Sequence, residues 1–328
     1  YGGGISVTSG SRPIIRDNLI ADNTSVGNGG GVFANDQANI TLERNTITHN
    51  TSTALGGGVV LFSATGLLRV NTISYNEAGT HGGGLALNAS ALTAQGNTIS
   101  QNVAAQLGGG VLVQDSSTLT MADNTINGNR AAIGGGMALF NSGGAWDGNQ
   151  VGGNVASGGG GGILVNASNP QILNAHVFNN RAGAFGGGFL IQAGAAPIIS
   201  NTVIRYNAAA NSGAGIHISS SPAVIKNSTI ANNAGEGINM LIATGVRLTE
   251  NIITDNAIGI RVDPASQVTL VRNNVYNNLD ANYRGLPAGS SDVSLDPLYV
   301  RGLFGHFYLS QAAAGQNRTS PLVDMGTQ

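Results

Sequence analysis

The chain has no cysteine, so neither a disulfide nor a thiolate metal site can form. It has a single lysine, Lys226, and only 9% of its residues are charged. At a formal charge of −2 there is no basic stripe to grip nucleic acid or an anionic membrane surface. No apolar run approaches the roughly 18 residues that cross a bilayer as a helix. Nucleic-acid partners and membrane insertion are therefore not expected. Cysteine-free composition fits a secreted bacterial protein, extracellular or on the cell surface. The chain enters at Tyr1 directly on a glycine triplet, without initiator Met or leader, and reads as a mature or excised segment.

What the chain does have is glycine, 51 residues of it, and the glycines are in register. The stretch Gly82–Asn102 opens on a triplet and closes on Asn-Thr-Ile-x-x-Asn. The last glycine of each opening falls at Gly4, Gly31, Gly58, Gly84, Gly110, Gly136, Gly162, Gly188, Gly215, Gly237 and Gly259. The closing asparagine recurs without a gap from Asn23 to Asn278, preceded three residues earlier by Ile or Val. Periods of 26 or 27 residues, shortening to 22 at the end, mean stacked units that cannot bury an apolar face alone.

Within each unit the residues one and three after the triplet are apolar, as in Leu85/Leu87 and Ile163/Val165, which marks a strand with one face inward. A second strand such as Leu119-Thr120-Met121 and a third at Asn-Thr-Ile complete a coil. The expected fold is all-β: a right-handed parallel β-helix of about eleven coils over 1–278, with an irregular aromatic-rich cap over 279–328. The cap holds five of the 16 aromatic residues, and it would cover the edges and core that a last coil exposes. Glycines serve the corners, where left-handed backbone and close approach are needed. Asparagines form two ladders, the closing one and an inner one at Asn18, Asn45, Asn71, Asn97, Asn124, Asn149, Asn251 and Asn273, which Ala175, Thr202 and Ser228 interrupt. Small-residue insertions such as Glu77–His81 build a ridge along one edge as far as about coil nine.

Triplets such as Gly56–Val59, Gly82–Leu85 and Gly160–Ile163, with Ile-x-x-Asn or Val-x-x-Asn before them, resemble the repeats of chlamydial polymorphic outer-membrane proteins. The same style of repeat is similar to that of secreted proteins of the pectin-lyase-like superfamily. The resemblance implies a β-helix, surface exposure and adhesion. For the enzymes of that superfamily it implies acidic polysaccharide substrates and clustered carboxylates with an Arg or Lys base. The strings expected of such enzymes, Asn-Thr-Asp, Gly-His-Gly, Arg-Ile-Lys and Asp-Pro-His-Asp, are absent; Gly305-His306-Phe307 is the nearest echo.

Two surfaces stand out instead. The outward position between the two inward ones reads Phe33, Val60, Ala86, Leu112, Ala138, Leu164 and Leu190 over coils two to eight, an apolar stripe expected to be a contact face or to be covered by the chain's own tail. On coils nine and eleven His217 and Arg261 occupy that same position, about 10 Å apart by strand spacing, with Asp263 beyond. These three are the fallback polar cluster if the chain is an enzyme. Elsewhere Glu250 and Arg272 share a column as a surface ion pair, and His49, His81 and His176 are scattered. No catalytic residue, metal site or cofactor is assigned. The expectation is a non-enzymatic structural or adhesive solenoid whose partners are itself, as a homopolymer, or another surface protein. Coil one (Tyr1, Ile5, Val7) would be the docking edge for head-to-tail filaments. The alternative is a polysaccharide-active or carbohydrate-binding β-helix.

Overall fold

The computed structural model describes residues 2–302 and 305–325. Among these, three parallel sheets run the length of the molecule. The first has 12 strands, from Ile5–Val7 to Ala281–Arg284; the second and third have 11 each, from Ile14–Arg16 to Val268–Val271 and from Leu19–Ala21 to Asn274–Tyr276. Each coil contributes one strand to each sheet, in strict register: Leu85 pairs with Val111 and with Val59, and Ile73 with Ile99 and with Ile47. The period in the sequence is the period of the coil.

Side chains that alternate inward fill a single continuous core, in which Leu42, Leu68, Leu85, Leu87, Ile99 and Ile126 are completely buried. At about 1.5–3 kcal/mol for each fully buried aliphatic side chain, every coil adds stabilisation only through its neighbours. The triplet glycines are needed for two different reasons. Gly82 has φ +66, a left-handed conformation. Gly83 has no room: a Cβ there would meet the Gly109 carbonyl at 2.4 Å and the Val103 carbonyl at 2.5 Å.

Both asparagine ladders are present inside the corners. Each closing asparagine accepts the backbone and side-chain N–H of the one before; Asn102 Oδ1 accepts from Asn76 N at 2.9 Å and from Asn76 Nδ2 at 3.0 Å, while Asn102 Nδ2 donates to the Ile73 carbonyl at 2.9 Å. At the interruption of the inner ladder, hydroxyls take over the acceptor role: Ser228 Oγ accepts the Thr202 N–H at 3.1 Å.

A fourth sheet was not anticipated. Among the described residues it has eight two-residue strands, from Thr24–Ser25 to Ala208–Ala209, lying in the ridge just after each closing asparagine. Pairs such as Glu77-Ala78 and Val103-Ala104 are too short to show alternation. The ridge ends with coil eight, where the spacing shortens. At the other terminus the solenoid continues past Asn278 into a partial twelfth coil: Ala281–Arg284 extends the first sheet and Val293 bridges to Asn274.

Candidate binding cleft

The apolar stripe is not a surface. Phe33 is 4% exposed, Leu190 7%, and Val60, Leu112 and Leu164 are completely buried. They form a second hydrophobic cluster with Ala86 and Ala138, onto which Leu55, Leu107, Ile133 and Phe140 pack. The cover is the ridge, which folds over the first sheet and sets Leu55, Leu107 and Ile133 immediately before their triplets. Leu55, His81, Leu107 and Ile133 are bridged to one another in sequence along it. Neither a partner nor the C-terminal tail is needed to bury this column, and a contact face there is excluded. Of the first-coil edge, Tyr1 lies outside the described residues, Ile5 is half-buried and Val7 is buried.

The polar cluster is only partly assembled. His217 is 3% exposed, beneath the Phe185 ring at 4.9 Å, rather than facing solvent. Its Nδ1 accepts from Asn239 Nδ2 at 3.0 Å and lies 3.3 Å from Ser212 Oγ. Burial pushes its pKa down to about 4, against an opposing pull from Glu236. Arg261 pairs with Glu236, Nη1 to Oε1 at 3.0 Å, and Glu236 Oε2 accepts the Gly213 N–H at 2.9 Å. Asp263 does not join them. It accepts the Ile242 N–H at 3.0 Å and bonds Ser266 Oγ, closing a turn, which holds its carboxyl below the usual range, the Ser266 bond most of all. Glu236, Asn239 and Ser212 were missed as members of this network. The available signal was Gly-Glu-Gly at 235–237: where the ridge is gone, the middle glycine position admits a side chain.

A separate cleft is made by the tail. After Pro297 the chain turns back as an antiparallel hairpin, Tyr299–Gly302 with Gly305–Leu309, along the outward face of the third sheet. Arg205 anchors it from coil eight. Its guanidinium lies 5.2 Å from the Tyr206 ring, 5.5 Å from Phe178 and 5.7 Å from Phe307 of the hairpin. Tyr299 stands edge-on to Phe307, with ring centroids 5.3 Å apart. Its hydroxyl is buried near Thr254 and Thr229 without reaching hydrogen-bond geometry, and burial pushes its pKa up.

Between this tail and the corner that joins the second and third sheets lies a cavity of about 570 Å³. Its solenoid wall is a column of left-handed corner residues, Asn201, Asn227, Glu250 and Arg272, with φ of 50°, 51°, 55° and 50°. Asparagine tolerates that conformation better than most residues. Arg272 Nη2 and Glu250 Oε1 are 2.7 Å apart, the ion pair read from the sequence. Leu309, Leu322 and Met325 make the opposite, apolar wall. A second hollow of about 360 Å³ continues along Asn174, His176, Phe307 and Tyr308. Asn174 Nδ2 donates to Asp147 Oδ1 at 2.6 Å, and Asn201 Nδ2 to Asn174 Oδ1, so amides line the corner coil after coil. Burial lowers the pKa of His176, and Arg205 lowers it further, so the imidazole is neutral near pH 7. Among the described residues no three His, Asp, Glu or Cys side chains converge as a metal site would require.

Stacked parallel coils of this length define a β-solenoid. The chain belongs to the family described as right handed beta helix region, which matches residues 1–156 and 188–295. The match carries the fold and does not extend to the narrower likeness to chlamydial repeats. No curated protein matches the chain.

Proposed function

We propose that the protein is a non-catalytic, adhesive solenoid of the extracellular surface that recognises a glycan in the cleft under its C-terminal hairpin. The observation that carries this reading is the pairing of walls: amides, hydroxyls and one ion pair at coil spacing on one side, and Leu309, Leu322 and Met325 on the other. Sugars present hydroxyl edges and apolar faces, which is what such walls can take, and about 570 Å³ lies within the range of small-ligand sites. Binding rather than turnover is favoured because, among the described residues, the one carboxylate lining this cavity, Glu250, is already engaged by Arg272. With the apolar column interior, lateral self-assembly on the first sheet has no support.

Affinity electrophoresis against neutral and acidic polysaccharides tests the proposal, alongside a reducing-end and unsaturated-product assay. Asn227→Gly keeps the left-handed backbone while removing the amide, and Arg272→Met breaks the ion pair. Retardation of the wild type by at least one glycan, lost in the double variant, is expected. No retardation by any glycan, or retardation unchanged in the variant, overturns the reading. Product release would move the protein to the polysaccharide-active alternative.

A further inference from the structure

The outward column of the first sheet changes chemistry where the ridge ends. In register after Leu190 come His217, Asn239, Arg261 and Arg284. Arg261 and Arg284 are direct partners on neighbouring parallel strands, about 4.8 Å apart at the backbone, and their side chains leave the same face of the sheet. Like charges set opposite one another destabilise a sheet. The pair therefore works against the fold, in a chain with only 14 Lys and Arg residues.

The two arginines are held differently. Arg261 is about half exposed and is oriented by Glu236, whose side chain is only 9% exposed and whose second oxygen is fixed by the Gly213 N–H. Glu236 offsets one positive charge and leaves the other. Arg284 is exposed, and among the described residues none of the ion pairs involves it. The column beneath is polar and closed by a buried hydrogen bond between Asn239 and His217.

We infer that Arg261 and Arg284 form an oxyanion-binding site on the outward face of coils eleven and twelve, taking the carboxylate, sulfate or phosphate group of a ligand. Two planar guanidinium forks at one strand spacing can each give paired N–H donors to one anion. The anion supplies the negative charge that the sheet lacks, and Glu236 keeps one fork in place before it arrives. No residue of the tail cleft takes part, so the site stands or falls independently of glycan recognition there.

The test compares wild type, Arg261→Gln and Arg284→Gln in thermal unfolding and calorimetric titration, with sodium sulfate against sodium chloride at matched ionic strength. The general salting effect of sulfate acts on all three proteins alike. The wild type is expected to gain a saturable rise in Tm over chloride, and both variants to bind sulfate at least tenfold more weakly. In dilute buffer without sulfate, Arg284→Gln should melt no lower than the wild type, since it removes a like-charge contact. Polygalacturonate and dextran sulfate then distinguish carboxylate from sulfate ligands, and inorganic phosphate the third. An equal sulfate response in wild type and Arg284→Gln, or a lower Tm of Arg284→Gln in dilute buffer, overturns the assignment.

Discussion

Asn273 donates both its backbone N–H and its side-chain amide to Asp292 Oδ1, at 2.8 and 3.1 Å, so the inner asparagine ladder ends on a carboxylate. The other oxygen, Oδ2, accepts the Tyr283 hydroxyl at 2.9 Å and the Gly289 N–H at 3.1 Å. One aspartate thus satisfies four donors at the place where the next coil would have supplied an asparagine.

Asp292→Ala strands these donors and should cost on the order of 2–3 kcal/mol. Asp292→Asn keeps Oδ1 as an acceptor and should cost roughly half of that. Because each coil touches only its neighbours, the loss is local. Amide hydrogen exchange should accelerate over coils ten to twelve and stay unchanged before about coil eight. Uniform acceleration along the chain would mean that Asp292 does not cap the stack.

The two ladders should differ in tolerance. In the inner ladder Ser228 and Thr202 already accept the preceding N–H and donate to the carbonyl two residues back, and Asn97 has such a carbonyl in reach at Gln95, so Asn97→Ser should be the milder change, about 1 kcal/mol. Asn102, in the uninterrupted closing ladder, is completely buried and bonded to Asn76, Asn129 and the Ile73 carbonyl. Asn102→Ser leaves the Ile73 carbonyl and one amide without a partner, and roughly 2–4 kcal/mol should follow. Urea midpoints of the two variants give the comparison, and equal midpoints would refute it.

How far the sequence reaches is clearest at Leu112. Its alternation with Val111 and Val113 states correctly that it points away from the main core. Alternation says nothing of what lies above a sheet, and the ridge of small residues reads as solvent-exposed loop. Leu55, Leu107 and Ile133, each just before a triplet, were the legible sign of a second apolar layer. The coil count, ladders and corners were legible because eleven repeats vote on every position. The hairpin on the third sheet occurs once, and no period announces it. Its trace was the change of the outward residue from Thr48, Ser74 and Ser100 to Phe178 and Arg205 where the tail lies.

Burial of that column makes a sharp prediction. On an exposed face Leu112→Lys would be nearly neutral. Under the ridge it places a charge in an apolar layer and should abolish cooperative folding of the central coils, while Leu112→Ala should cost about 2–5 kcal/mol. Circular dichroism of Leu112→Lys settles the matter: a wild-type melting curve would restore the exposed stripe.

His217 gives the fold a dependence on mild acid. Its ordinary pKa of 6.5 falls to about 4 in the folded protein because the ring is buried, although Glu236 pulls the other way. The folded state therefore prefers the neutral ring, as does the hydrogen bond in which Nδ1 accepts from Asn239. The stabilisation is complete above pH 6.5 and is lost as pH falls from there toward 4. A drop of that size is worth about 3 kcal/mol. His217→Gln cannot titrate, so its urea midpoint should be flatter than the wild type's across this window, even if it is lower at pH 7.5. Parallel curves for the two proteins would assign the acid sensitivity to the carboxylates instead.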